Sequence, residues 1–273
     1  MIAPKVAAQG LPPALGVMPM RRRLILPFTA LAVACLAMPA AQAAPVPPAA
    51  ISRALADPAR SAANRALDES RKPSEILAFA GFKPGQVVAD WGAGGGYYSE
   101  LIAAVVGPRG RVYALANPAY LKPGTLDAVA KAHANVLMLV TPPAGMTLAP
   151  GSLDAIFAHL EFHDLYLPAA HGGTTPARPV AATLANWFSA LRPGGTVIIV
   201  DHVGPAGIPT TVADTLHRID PAQVKSDMLA AGFVLDAEST VLQRNDDPHT
   251  AIVFDPALRG KTDRFALRFR RPA

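Results

Sequence analysis

The chain has 273 residues, of which 51% are hydrophobic and 16% charged, with a formal charge of +5 and one cysteine. The first 43 residues hold Lys5, Arg21, Arg22 and Arg23 and no acid, so the remainder carries 21 basic against 20 acidic residues. With that near balance and no basic cluster in the sequence, no nucleic-acid partner is expected, and the length suits one α/β domain with extensions.

The N-terminal segment 1–43 has the pattern of a secretory signal peptide. Arg21, Arg22 and Arg23 are followed by the apolar run 24–34 and then by Ala41-Gln42-Ala43, a small-residue cleavage site. Met18 or Met20 can serve as the start. The apolar run is too short for a permanent membrane span. Cleavage near Ala43 would deliver an exported, periplasmic protein, and it would remove Cys35, leaving no disulfide.

Segment 44–80 is expected to be a Pro-rich linker over 44–50 followed by helices. Asp57 caps and Pro58 opens a helix to about residue 70, and Pro73 opens another through 79. Segment 81–273 then alternates strand and helix. Strands are expected at 86–90, 111–115, 136–140, 153–159, 196–201, 234–242 and 265–269. Helices are expected at 97–106, 126–134, 179–191 and from Asp220-Pro221 to 231. This spacing predicts a doubly wound, mostly parallel, seven-stranded sheet with helices on both faces and an N-terminal helical extension. A ligand on such a sheet sits beyond the carboxyl ends of the strands. The expected rim comprises 90–97, 116–118, 141–146, 159–166 and 201–204.

The first strand ends in Asp90-Trp91-Gly92-Ala93-Gly94-Gly95-Gly96 before Tyr97 and Tyr98 open a helix. Glycine supports the tight turn and lets a ligand approach the backbone, and the helix start presents unpaired N–H groups. The D-x-G-x-G-x-G spelling resembles the first motif of class I S-adenosylmethionine (SAM) dependent methyltransferases. Leu153 to Phe157 resembles that family's fourth-strand motif, Leu191-Arg192-Pro193-Gly194-Gly195 its turn before strand five, and Ala230-Ala231-Gly232-Phe233 its turn before strand six. The tail, including Phe254-Asp255-Pro256 and Arg259 to Asp263, resembles predicted exported bacterial methyltransferases.

The resemblance implies a SAM-dependent methyltransferase acting on a small-molecule acceptor. It implies a cofactor held by Asp90, Gly92, Gly94, Gly96 and Tyr97, with Asn117 as the ribose contact. Ala116 stands where the family places a ribose-binding acid, and Asn117 lacks the charge-assisted strength of a carboxylate. The stretch 141–146 has no acid for the adenine amino group, so Met146 and Leu148 are expected to hold the ring by apolar contact.

After the fourth strand comes His159-Leu160-Glu161-Phe162-His163-Asp164. His163 is the candidate general base, because an imidazole titrates near neutral pH, with Asp164 or Glu161 to orient it. Two alternatives stand beside this reading. One is a non-catalytic periplasmic nucleoside- or small-molecule-binding protein on the same fold. The other is a metal-dependent hydrolase, because His159, Glu161 and His163 share one face if the run is extended. His217-Arg218 is read as an anion contact or a solvated loop, and Lys261 and Asp263 as an ion pair.

Overall fold

A computed structural model describes residues 48–141, 147–167 and 180–273. The chain divides into the units Met1–Gln42 and Ala43–Ala273, and every described residue belongs to the second. The signal segment, Met146 and the expected helix start at 179 lie outside the described residues.

The element order is α1 (Pro48–Ala56), α2 (Ala62–Arg65), α3 (Asp68–Arg71), α4 (Pro73–Ala80), β1 (Val87–Trp91), α5 (Tyr97–Val106), β2 (Arg111–Ala116), α6 (Thr125–Ala132), β3 (Val136–Val140) and β4 (Leu153–His159). A 3-10 turn (His163–Tyr166) follows, then α7 (Val180–Ala190), β5 (Leu191–His202), α8 (Val212–Leu216), α9 (Pro221–Ala230), β6 (Val234–Ser239) and β7 (Arg264–Arg270). The seven strands form one sheet in the order β3-β2-β1-β4-β5-β7-β6. The pairs among β1 to β5 are parallel, while β7 runs antiparallel to both β5 and β6. This is the expected doubly wound architecture. Among the described residues no helix is long and apolar enough to cross a membrane.

Strand residues alternate between two buried layers, as the period of two requires. Val88, Ala114, Phe157, Ile198 and Val200 join the layer built with α1, α4 and α5. Ala89, Leu115, Ile156, Val197 and Ile199 join the layer built with α7 and α9. Trp91 falls in the second layer, edge-on to Trp187 at 5.1 Å between ring centroids. That geometry adds about 0.5–1.5 kcal/mol to the burial of the rings. It also takes the Trp91 ring away from the glycine turn.

The N-terminal helices depart from the expected pattern. The Pro-rich stretch does not stay a linker, since α1 begins at Pro48, a position where proline's missing N–H is harmless. Asp57 does not cap a long helix. Its carboxylate accepts the Ala59 N–H at 2.8 Å in a local turn, the competing bond that aspartate offers its own backbone. Two short helices follow instead, ended by Lys72 at φ +44°. Arg60 ties this region to α5: its Nε donates to Glu100 at 2.7 Å, and its two Nη groups donate to Asp68 at 2.7 and 2.8 Å. Strand β6 stops at Ser239, short of the expected 242.

Candidate functional site

The carboxyl ends of β1 and β4 lie side by side, Trp91 pairing with Ala158. Asp90 points into the layer built with α5, where it is 2% exposed and its Oδ2 accepts the Ser99 hydroxyl at 2.5 Å. Burial pushes its carboxyl up to about 6, against the opposing pull of Ser99 and Arg71. Gly92, Gly94 and Gly96 take φ of +74°, +51° and +84°, the region open to glycine. Gly92, Gly94 and the adjacent Gly95 line a cleft of about 220 Å³ with Asp90, Tyr97 and Arg71.

Gly96 does other work. A Cβ there would lie 2.9 Å from both Leu126 and Val129 of α6, so its bareness serves helix packing rather than ligand contact. Gly96 does not line the cleft. Asn117 does not line the cleft either. Its Oδ1 accepts the Ala119 N–H at 3.0 Å, closing a local turn after β2.

Tyr97 and Tyr98 both line the cleft while being buried. The Tyr97 hydroxyl donates to Asp68 at 2.7 Å, and that of Tyr98 to the Arg71 carbonyl at 3.3 Å. The Arg71 guanidinium lies 4.4 Å from the centroid of the Tyr97 ring, a cation–π arrangement. Sequence reasoning missed Arg71. Its signal is weak, a cation in a helix that nothing marks as part of the rim.

Leu160 has φ +60°, uncommon for a branched side chain and a form of strain that gathers at functional sites. The turn it makes splits the His159 to Asp164 run. His159 stays at the end of β4 beside the Tyr98 ring, 4.7 Å between centroids, and its buried Nε2 has no hydrogen-bond partner. Burial pushes its pKa well below the ordinary imidazole value. Glu161 folds onto the glycine turn: a Cβ on Gly92 would come within 2.1 Å of its Cγ. Burial and then the neighbouring Asp164 raise the Glu161 carboxyl well above its ordinary value. His163 turns to the β5 side. The three residues of the expected metal triplet therefore share no face, and the hydrolase reading built on them is corrected.

His163 is held by Asp201, the acid at the end of β5. Its backbone N–H donates to Oδ2 at 2.8 Å and its Nδ1 faces Oδ1 at 2.8 Å. Its Nε2 lies 3.2 Å from His217 Nδ1 and 3.0 Å from Asp164 Oδ1. Burial opposes a charge on this ring, but Asp201 and Asp164 outweigh it, and the pKa stands well above the usual imidazole value. Asp201 thus fixes the His163 ring and leaves its Nε2 towards His217 and Asp164. Its neighbour His202 is pushed down to about 3 by burial and shares a 2.8 Å hydrogen bond with the Thr262 hydroxyl.

His217-Arg218 is neither an anion contact nor a solvated loop. Arg218 is fully buried and makes a two-pronged pair with Asp247 at 2.9 and 3.0 Å, with further bonds to the Val203 and Ala251 carbonyls. Lys261 and Asp263 form no pair. Asp263 instead accepts from the Arg244 N–H at 2.8 Å and faces His249 at 2.9 Å. Lys261 thus joins a second cleft of about 760 Å³, lined also by Arg71, Lys122, Arg244, Arg259 and Arg264. Leu67, Arg71 and Leu160 border both clefts. Glu69 is the acid on its wall. Arg264 is 3% exposed with its Nε unpartnered, and burial lowers its pKa to about 10.

No family model and no curated protein matches the chain. Solved structures do match it. A SAM dependent methyltransferase from Aquifex aeolicus aligns with a TM-score of 0.52 at 19% identity, over 82% of this chain and 98% of that one. An S-adenosylmethionine dependent methyltransferase from Mesorhizobium loti aligns with a TM-score of 0.54 at 16% identity, over 75% of this chain and 100% of that one. An arsenic(III) S-adenosylmethionine methyltransferase from Chlamydomonas reinhardtii gives 0.50 at 18% identity, over 84% of this chain and 75% of that one. The binding-protein alternative finds no support among these three. The sheet order, the glycine turn and these alignments together make this the Rossmann-like fold of the class I methyltransferases.

Proposed function

We propose that the protein is a SAM-dependent methyltransferase whose acceptor is a small anionic molecule. One observation carries the reading. The cleft at the ends of β1 and β4 is lined by a buried acid, a glycine backbone and a guanidinium with no ion pair among the described residues (Asp90, Gly92 to Gly95, Arg71). These groups fit the cofactor's own charges. Asp90 and Glu161 suit its ammonium and sulfonium, and Arg71 suits its carboxylate. The orphan His159 Nε2 offers a further polar contact. At about 220 Å³ the cleft is smaller than the ~300–1,000 Å³ usual for ligand sites. Glu161, lying on Gly92, is what narrows it, so seating the ligand requires that side chain to swing outward.

When bound, the cofactor supplies a sulfonium methyl, which an acceptor nucleophile takes as the carbon–sulfur bond breaks and its electron pair stays on sulfur. The chain's contribution is alignment. Asp90 and the glycine backbone fix the donor side. The larger cleft next door, with six cations against Glu69, gathers and orients a negatively charged acceptor. None of those six cations forms an ion pair among the described residues.

We also propose that residues 1–43 are a leader removed on export, on the strength of the basic, apolar and Ala-x-Ala succession. The N-terminal sequence of the protein recovered from the periplasm tests that, with Ala44 expected first. Calorimetry with SAM and with its demethylated product tests the main reading. Micromolar binding of either is expected, weakened at least tenfold by Arg71→Ala. No heat from either ligand up to millimolar concentration overturns it.

A further inference from the structure

The histidine cluster on the β5 side of the rim has the dimensions of a metal site. His163 Nε2, Asp164 Oδ1 and His217 Nδ1 lie 3.0, 3.2 and 3.9 Å from one another, and they are a group that could hold one ion. Ligand atoms about 2.0–2.2 Å from a shared divalent ion are themselves about 3.0–3.6 Å apart. The residues come from two places, the turn after β4 and the end of α8, so local sequence does not bring His217 to the other two.

Three further features point the same way. First, Asp201 takes the Nδ1 side of His163 at 2.8 Å, which leaves Nε2 as the outward nitrogen. A carboxylate behind a ligating imidazole is the usual support, because it fixes both tautomer and ring angle. Second, Asp164 Oδ1 is buried and has no hydrogen-bond partner. It is 3.0 Å from His163 Nε2, but off the direction of an N–H. A proton shared between the two histidines satisfies their nitrogens and leaves this oxygen unsatisfied, whereas a cation at the centre satisfies all three. Third, His217 is held at φ +52°, an uncommon backbone for a residue other than glycine. The next residue, Arg218, is anchored by its buried pair with Asp247. The Asp164 and His217 side chains are 21% and 23% exposed, so solvent reaches the cluster.

We propose that His163, Asp164 and His217 form a three-ligand site for a divalent first-row metal ion of the zinc class. Two imidazoles and one carboxylate with open positions suit such an ion and leave room for a water or an acceptor oxygen. The proposal uses neither His159 nor Glu161, and it does not depend on the methyltransferase reading.

The test uses the tag-free protein stripped with a chelator. Zn²⁺ is titrated by calorimetry, and Co²⁺ by its visible absorption, which reports the ligand field. One equivalent is expected, with the nitrogen–oxygen spectrum in the cobalt form. His217→Ala and Asp164→Asn should each weaken binding at least 100-fold, and Asp201→Asn by about 10- to 100-fold. His249→Ala, which alters a histidine paired with Asp263, should leave it unchanged. Circular dichroism and a melt of each chelated variant establish folding, and two independent ligand variants guard against one that fails to fold. No zinc binding up to millimolar concentration overturns the proposal. So does binding that survives undiminished in both His217→Ala and Asp164→Asn. SAM binding measured on the same samples stands or falls separately.

Discussion

The two halves of the rim are built on opposite principles. On the β1 side Gly92 and Gly94 hold left-handed backbone, Gly94 has open space around it, and His159 lies at the cleft with an Nε2 that lacks a hydrogen-bond partner. On the β5 side most polar groups are paired, Asp164 Oδ1 apart. Asp201 receives two bonds from His163 and one from the His202 N–H, and Arg218 is saturated by Asp247 and two carbonyls. A surface that must receive a ligand keeps its groups uncommitted. One that must hold geometry spends them on each other.

Substitutions should separate the halves, beginning with the largest effect. Asp247→Ala strips the partner from a fully buried guanidinium, and loss of one member of a buried pair costs about 3–5 kcal/mol. Chemical denaturation should show that loss with SAM affinity changed much less than stability. If stability drops by under about 1 kcal/mol, the β5 side is not held together as described.

A pH titration probes the β1 side. Asp90 is raised from its ordinary value to about 6, so the folded protein binds its proton more tightly than the unfolded chain does. Its stabilising effect is therefore present below about pH 4 and is lost as pH rises through 6, by on the order of 3 kcal/mol at most. Asp90→Asn should remove that slope from the denaturation profile. A slope of the same size in the variant would show that another group causes it.

The glycines give a finer contrast. Gly96→Ala meets Leu126 and Val129 and carries the left-handed penalty of about 1–2 kcal/mol, so it should lower the melting temperature. Gly94→Ala carries the backbone penalty alone and should instead weaken SAM binding more than it lowers stability. Equal profiles would erase the distinction between a packing glycine and a ligand glycine. The smallest effect is expected at the half-exposed Lys225–Glu238 pair. There Glu238→Gln should change stability by less than about 1 kcal/mol, which sets the baseline for the other variants.

The sequence was most informative where chemistry is local. Asp90 at a strand end, glycines in a turn, and apolar runs at βαβ spacing are each properties of a few adjacent residues. The sheet followed from them, including the parallel strands β1 to β5. The N-terminal helices were misread because Asp57 can cap a helix or close its own turn, and both begin with the same letters.

Tertiary structure decided the rest, because the deciding energies are between distant residues. Nothing near Gly96 says that α6 will press on it. Nothing near His163 says that Asp201, on another strand, will hold its proton, or that His217 will arrive beside it. The run from His159 to Asp164 reads as one alternating face, yet Leu160 takes a left-handed backbone and sends its neighbours to different partners. A chain can announce a turn in its own letters, but burial, charge pairing and the meeting of side chains arise only once remote segments have been packed together.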